Sequence, residues 1–516
     1  LFVFLLDRKQ REGSSIAGFY AGRSILITGG TGFLGKVLVE KLLRSCPDVR
    51  EIYLLMRPKK GVSIDDRLRK EFQLPLFDML RKERPSYISK LIPVLGDTSV
   101  EGLGISAIDR QAITSRVSVI FHAAANVRFN DNLKKDILSN CRSTRDVCIL
   151  AEESKNLVAL VHVSSAYAQS DKPVVDEIVY PPLLDWRDAI QMAESLDELT
   201  IQAFTSKYVG SMPNTYTFSK RLAEQVVNDY SKRLPSVILR PSIVVSTMFD
   251  PMPGWLDNFN GPVGMMVLGG KGILRVSGGR PDVVSDFIPV DVSTKATVTA
   301  AWKRGRVMVT EDPEVHVYNC SFHEIRHVLQ KDMIAMSFAI NEKIPLAGTI
   351  WYPRTTLTGN PLYYYALSLL FHLLPALLID GLLKLKGSEP MLLKIQKQVY
   401  VAIQKLRHFL NNEWVFRNNK LKKILMDDVP MPEREIFGFD YSNIDEFEYL
   451  TNCIIGAKRY LLNEDLSELD KCKQHLNRMR WIERIVHGIC IVILLWIFGK
   501  IGFFSYISAP LRSLVN

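Results

Sequence analysis

Short apolar runs rich in β-branched residues alternate with helix-periodic stretches along roughly the first 300 residues of this chain. Residues 24–28, Ser-Ile-Leu-Ile-Thr, read as a short buried strand that a glycine cluster ends. Residues 36–43 then show a helical stripe, with Val37, Leu38, Leu42 and Leu43 on the apolar side. Further apolar runs at 51–56, 92–97, 119–125, 158–163 and 239–244 repeat the strand pattern, and residues 287–292 fit a later segment of the same kind. Strands separated by helices predict a doubly wound parallel α/β sheet. The alternation fades after about residue 300, and Pro, Gly and Thr cluster around 343–360, which predicts a domain joint. Beyond it the pattern is mostly helical. Expected boundaries are an N-terminal extension over 1–20, an α/β domain with a substrate lobe over 21–350, a helical domain over 355–465 and a membrane segment over 485–507.

The first glycine cluster, Thr28-Gly29-Gly30-Thr31-Gly32-Phe33-Leu34-Gly35, lies between strand and helix, where a phosphate-binding turn belongs. Gly29 permits a tight turn, Gly32 lets backbone approach a pyrophosphate, and Gly35 allows helix to pack closely on strand. The free N–H groups of the helix start favour an anion. These features predict a Rossmann-type dinucleotide fold. The second strand ends in Met56-Arg57, followed by Pro58-Lys59-Lys60, and not in the carboxylate that a ribose 2′-OH requires. A guanidinium there suits a 2′-phosphate, so NADP(H) is expected over NAD(H); the alternative is a solvated basic loop. Asp97, at the end of the third strand, is a candidate adenine contact. Ala123 and Ala124 are small enough for backbone to lie along the cofactor, and His122 beside them reads as structural.

Candidate chemistry follows downstream. Ser164 and Ser165 end the strand over 158–163, and Tyr216 and Lys220 stand four apart on one face of a helix. A free tyrosine titrates near pH 10, and a neighbouring ammonium should bring it down toward working pH. Tyr216 could then protonate a carbonyl oxygen as hydride reaches its carbon, with Ser165 orienting that oxygen and Lys220 holding the nicotinamide ribose. Alone, a Y-x-x-x-K pair reads first as a surface tyrosine beside a solvated lysine; the glycine turn and serine strand reverse this in favour of the catalytic reading. Pro241 and Ser242 look like the turn closing over the nicotinamide. The wide Ser165–Tyr216 gap, with Pro181-Pro182 and an acidic helix near 185–199, reads as a pocket-shaping insertion or lid.

At 516 residues, 47% of them hydrophobic, the chain holds a sizeable core. Seven scattered cysteines argue for a reducing compartment and against a disulfide framework, and neither they nor the nine histidines show metal-ligand spacing, so no metal is expected. The net charge of +10 comes without a basic-aromatic nucleic-acid module; anionic substrates and membrane surfaces account for it better. The run Leu1–Leu6 is too short for a span and begins without methionine, which leaves the start of the chain open upstream. Residues 362–383 are apolar for about one span but contain His372, Pro375 and Asp380, so a membrane-associated helix, an acyl-chain wall and a buried kinked hairpin all stay open. Residues 485–504 approach the length of a span, interrupted by Lys500, after a flank of Lys471, Lys473, Arg478, Arg480 and Arg484 that should stay cytosolic.

Taken with Pro253-Gly254-Trp255-Leu256-Asp257-Asn258, Asn260-Gly261-Pro262, Phe447-Glu448-Tyr449 and Gly456-Ala457-Lys458-Arg459-Tyr460-Leu461-Leu462, these motifs resemble the alcohol-forming fatty acyl-CoA reductases of the extended short-chain dehydrogenase/reductase superfamily. The resemblance covers nearly the whole chain. It departs mildly at Gly30, where relatives often have alanine, and at Ser165, where they often have threonine. The resemblance implies NADPH-dependent reduction of a long-chain acyl-CoA to a primary alcohol through an aldehyde, with release of CoA. It implies Ser165, Tyr216 and Lys220 as catalytic residues, and Thr28, Gly29, Thr31, Gly32, Phe33, Leu34, Gly35, Arg57, Asp97, Ala123, Ala124, Tyr216, Lys220, Pro241 and Ser242 around the cofactor. An intracellular membrane, endoplasmic reticulum or peroxisome, is the expected location, with the catalytic part facing the cytosol. The rivals are an aldehyde-forming or sterol-type reductase of the same superfamily, and a membrane protein that binds the dinucleotide without catalysis.

Overall fold

The computed structural model describes residues 15–58, 61–129, 132–440 and 444–500. Seven parallel strands form one sheet: β1 (Ser24–Thr28), β2 (Glu51–Met56), β3 (Leu91–Leu95), β4 (Val117–His122), β5 (Ala159–Val163), β6 (Ser236–Pro241) and β7 (His316–Cys320), in the spatial order β7-β6-β5-β4-β1-β2-β3. Strand order reverses at β1, so a crevice opens at the carboxyl edge between β1 and β4. The period-two pattern explains the two-sided burial. Ile25, Ile27, Ile52 and Leu54 join a core on one face, and Leu26, Tyr53 and Leu55 join another on the opposite face. The first face is covered by α1 (Phe33–Ser45), and the second by α2 (Thr215–Tyr230), which carries Phe218, Leu222 and Val226. Helix α3 (Val290–Arg304) packs beside α1 on the first face.

The distal half is not a separate lobe with a core of its own. Leu421, Ile424, Phe437, Tyr449 and Ile454 belong to the same cluster as Ile25 and Val37. The stretch 343–360, expected as a joint, is stitched to both sides: Thr356–Leu357 pairs in parallel with Val276–Ser277, and the Ala347 N–H donates to Glu464 Oε2 at 2.9 Å. Part of the expected N-terminal extension is also core. Ser15 caps the short helix Ile16–Tyr20, whose first N–H groups donate to the Glu433 carboxylate at 2.6 and 3.0 Å, and the Tyr20 hydroxyl reaches the Val298 carbonyl at 2.7 Å. Residues 1–14 lie outside the described residues.

The family-specific glycines have a steric cause. A Cβ on Gly456 would come within 1.7 Å of the Gly254 carbonyl oxygen, and one on Gly254, which has φ +77°, within 2.1 Å of the Asn452 carbonyl oxygen. The two halves therefore meet backbone to backbone, in a contact no side chain can enter. Beside it, Lys458 is fully buried and donates to the Pro345 carbonyl at 2.8 Å and to Glu464 at 2.7 Å.

The apolar stretch near 362–383 is a continuous helix over Pro361–Leu385, with a π turn at Leu369–Leu373, and is long and apolar enough to cross a membrane. Only 17% of its most apolar window is buried, which removes the buried-hairpin alternative. Asp380 is tucked under the next helix, α4 (Leu392–Asn411), where it accepts the N–H groups of Met391, Leu392 and Leu393 at 2.8–3.1 Å. The second apolar stretch continues a 32-residue helix, α5 (Leu469–Lys500). Its first half docks on the 342–351 segment through Glu483, which accepts from Trp351 Nε1 at 3.2 Å, and through an Arg480–Glu342 ion pair. Ile485, Ile489, Val492 and Trp496 are exposed beyond it. The remainder of the expected segment, residues 501–507, lies outside the described residues.

Gly456→Ala should lower stability by about 1–3 kcal/mol, the usual range for forcing atoms into a packed contact. A shift of the denaturant midpoint checks this.

Candidate active site

All seven strands are parallel, so their C-terminal ends share one edge, and every candidate residue lies at or near it. Thr28 ends β1 and is fully buried. Its hydroxyl sits 2.7 Å from His122 Nδ1 and accepts the Ala124 N–H at 3.3 Å. The Thr28 side chain therefore ties the ends of β1 and β4 together. Gly29 has φ +77°, and a Cβ there would strike the Ala124 nitrogen at 2.6 Å, so the backbone of Ala123 and Ala124 lies against the turn. Gly35 is buried beneath it; a Cβ would meet the Gly29 oxygen at 2.1 Å. Gly32 is exposed, and a Cβ on it would meet only the Gly29 oxygen within 4 Å. No side chain caps α1 at Gly32. A bare helix start beside an exposed, open glycine is a cradle of the right chemistry for a pyrophosphate. Phe33 stacks on Trp255 at 5.6 Å, and Lys36, one residue past the last glycine, pairs with Asp257 at 2.7 Å. The Pro253–Asn258 motif thus braces the glycine turn from the side.

Arg57 follows β2 and is exposed. The structure adds a residue that sequence reading missed: Arg67 donates to the Arg57 carbonyl at 2.6 Å and to Thr31 Oγ1 at 3.3 Å. It joins the glycine turn to the end of β2, bringing a second guanidinium to the place where a 2′-phosphate would lie. Its position in a polar helix, Ile64–Glu71, gave no signal. Asp97 lies at the edge beyond β3, but one carboxylate oxygen accepts the Ser99 N–H and hydroxyl, both at 2.8 Å, so it closes its own turn. Lys59 and Lys60 lie outside the described residues. Pro241 ends β6, and Ser242, the next residue, is buried with its hydroxyl 3.4 Å from Asp286.

Asn214 caps α2 by accepting the Thr217 N–H at 2.8 Å, which sets the first turn and so the direction of Tyr216. Ser165 Oγ accepts the Tyr167 N–H at 3.3 Å and stands close enough to the Tyr216 phenol to favour its ionised form. Lys220 is buried one turn further on and donates to the Val163 carbonyl at 2.7 Å. The Tyr216 phenol is pushed up to about 12 by burial, with the nearby Asp136 carboxylate adding to the rise and the Ser165 side chain opposing it. The expected depression by Lys220 does not occur. The ammonium is anchored on the strand end, where burial lowers it to about 8 and Glu224 partly restores it. His122 is held down to about 3 by burial and the Lys220 charge, and both its ring nitrogens meet threonine hydroxyls, so it trades no proton at neutral pH.

Glu224, two turns beyond Tyr216, is a second residue that the pattern did not reveal. Its carboxylate is fully buried and accepts Ser164 Oγ at 2.6 Å, Gln169 Nε2 at 2.8 Å and Arg240 at 2.7 and 2.8 Å. Ser164 is thereby committed, which leaves Ser165 as the serine beside the phenol. Arg240 also donates to the carbonyls of Asp176 and Ile178 in the insertion after Ser165. That insertion holds two helices, Trp186–Ser195 and Glu198–Val209, capped by Asp185 and Asp197.

Two family profiles match the chain, both described as male sterility protein, over residues 27–297 and 371–464. Fatty acyl-CoA reductase 1 of Xenopus laevis is 37% identical over 482 residues, covering 93% of each chain, and that of Homo sapiens aligns equally well. The chain belongs to the fatty acyl-CoA reductases. Fatty acyl-CoA reductase 2 of Mus musculus is 35% identical over 94% of this chain and 93% of its own. Among solved structures, the reductase domain of a nonribosomal peptide synthetase from Mycobacterium tuberculosis has a TM-score of 0.57 at 17% identity, covering 84% of this chain and 91% of that one. The terminal R domain of the myxalamid pathway has 0.55 at 19%, covering 86% and 93%. These two share the fold.

Glu224→Gln should destabilise the protein by about 3–5 kcal/mol, since it strands the buried Arg240 charge; the unfolding midpoint reads this. The pH profile of kcat/KM should fall above about pH 8, as Lys220 loses its proton, and show no tyrosine limb below about pH 10. Its folded pKa lies below the unfolded value of about 10.4. The cost of burying the ammonium is therefore relieved between those limits, and this group's contribution to stability rises there, so the loss of rate is not unfolding.

Proposed function

We propose that this member of the family reduces long-chain fatty acyl-CoA to a primary alcohol with two equivalents of NADPH, releasing CoA after the first. The observation that supports the reading is the gathering of Ser165, Tyr216 and Lys220 at the end of β5, on the sheet edge that also carries the glycine turn. The turn fits the cofactor: the exposed Gly32, the bare start of α1 and the guanidinium groups of Arg57 and Arg67 would take its pyrophosphate and 2′-phosphate. When bound, NADPH supplies hydride to the acyl carbon, once per reduction.

The rest falls to the chain. Ser165 and Tyr216 donate hydrogen bonds to the thioester oxygen and carry the charge that develops on it. Collapse of that oxyanion expels the CoA thiolate and leaves an aldehyde. In the second reduction Tyr216 gives its proton to the alkoxide. A phenol near 12 stays protonated at working pH and is still far more acidic than an alcohol, so it is poised to donate and not to accept. Lys220, charged below about pH 8, adds a positive field from the end of β5. The sites of Thr28 and Asp97 serve by shaping the crevice.

Membrane attachment at an intracellular bilayer, with the catalytic part in the cytosol, is part of this reading. The exposed leucines of Pro361–Leu385 and the exposed apolar side chains of α5 beyond Glu483 support it. A lipid surface also suits a substrate whose tail prefers hydrocarbon.

Purified protein given NADPH and a long-chain acyl-CoA should form alcohol with two NADPH oxidised per product. Aldehyde accumulating alone, or no acyl-CoA turnover, would refute the proposal. Tyr216→Phe should reduce turnover by about 10²–10⁴-fold, the usual worth of a positioned acid, while NADPH binding by fluorescence titration is unchanged.

A further inference from the structure

The ring of Tyr216 lies 5.6 Å from that of Phe129, which in turn lies 5.7 Å from Phe409 at the end of α4. Phe409 and Trp414 reach back from the distal half and stand edge-on to Tyr167, two residues past Ser165, at 5.2 and 5.4 Å. The short pairing of Val415–Phe416 with Val174–Val175 holds them there. Tyr167, Ile243, Phe409 and Trp414 line an open groove. Ile243 directly follows Ser242, so the groove starts where the candidate site ends.

A second groove continues from the first. Met265, Gln330 and Met333 line both. Beyond this shared neck the apolar walls are Met266, Leu274, Ile334, Leu357 and the partly exposed ring of Phe338, with Asn341 and Arg354 among the polar residues beside them. At the neck Gln330 Nε2 donates to the Leu410 carbonyl at 2.9 Å, and in the inner groove Asp286 accepts from Ser321 Oγ and from the Phe322 N–H. Methionines at a neck adapt to a flexible chain better than branched residues do. The outer groove ends beside the exposed apolar surfaces: Arg275, next to Leu274, gives its N–H to His372 of the Pro361–Leu385 helix at 3.0 Å and its side chain to Glu483 of α5 at 3.5 Å.

We propose that these two grooves form one path for the acyl chain. The chain would run from the thioester at Tyr216 past Phe409, through the Met265–Met333 neck, and place its methyl end between Ile334 and Phe338. This rests on the acyl-CoA reductase reading and adds which residues measure the tail. A short tail ends at the neck, and a longer one gains the outer walls. Each further buried methylene is worth about fourfold in binding, so the outer groove sets the preference for length.

The test uses the full chain in detergent with NADPH and acyl-CoAs of graded length from dodecanoyl to docosanoyl, measuring aldehyde plus alcohol. Ile334→Trp fills the outer groove. It should leave kcat/KM for the shortest substrate within about twofold and lower that for the longest by tenfold or more. Phe338→Ala should shift the optimum toward longer chains. An unchanged length profile in both variants overturns the proposal, as does an equal loss at all lengths, which would put the CoA moiety in this groove. A wild-type protein inactive on every acyl-CoA would instead defeat the reductase reading itself. An acyl-CoA with a photoreactive diazirine near its methyl end tests the unsubstituted protein independently of variant folding. Labelling of the segment 330–338 is expected, and labelling confined elsewhere overturns the path.

Discussion

The buried pair of Glu224 and Arg240 is the constraint on which the candidate site depends. Burying two opposite charges without water is tolerable only when the remaining donors and acceptors are also satisfied. Here Glu224 takes four hydrogen bonds and Arg240 returns two more to backbone carbonyls. Those bonds come from β6, from the end of β5, from the turn after it and from the insertion. Helix α2, the serine strand and the insertion are therefore held in one register, and Ser165 meets Tyr216 because Ser164, its neighbour, is fixed.

A second constraint couples the halves. Gly254 and Gly456 touch through backbone, Phe409 and Trp414 pack on Tyr167, and one core cluster runs through both regions. The groove proposed for the acyl chain lies between them, so neither half alone has its walls. This explains why the family-specific motifs at 253–258 and 456–462 are far apart in sequence. They are the two sides of one close approach, and one of them also braces the glycine turn through Trp255 and Asp257.

Burial governs the titration of the site more than charge pairing does. It moves Tyr216 up to about 12 and Lys220 down to about 8, which opposes a simple picture of an ammonium sharpening a phenol. Both shifts suit reduction. The tyrosine keeps the proton that the proposed reduction would take from it, and the lysine remains mostly charged at neutral pH with its ammonium on the Val163 carbonyl.

The strands, the glycine turn and the Tyr216–Lys220 face were legible in the linear chain because each rests on local periodicity: two for a strand, 3.6 for a helix, and a glycine wherever backbone must bend or approach. Family membership was legible from motifs for the same reason, since each is a short contiguous string. Tertiary structure alone decided the rest. Glu224 and Arg67 look like ordinary polar helix residues until folding brings their partners from elsewhere in the chain. Thr28 has a side chain that could serve a ligand, but His122 and Ala124, neighbours reached only in the fold, claim it first. The 343–360 stretch has the composition of a linker and yet is stitched into the core through Ala347 and Thr356. Local composition records what a segment can do, whereas burial and long-range hydrogen bonds select what it does, and they exist only once distant segments share one interior.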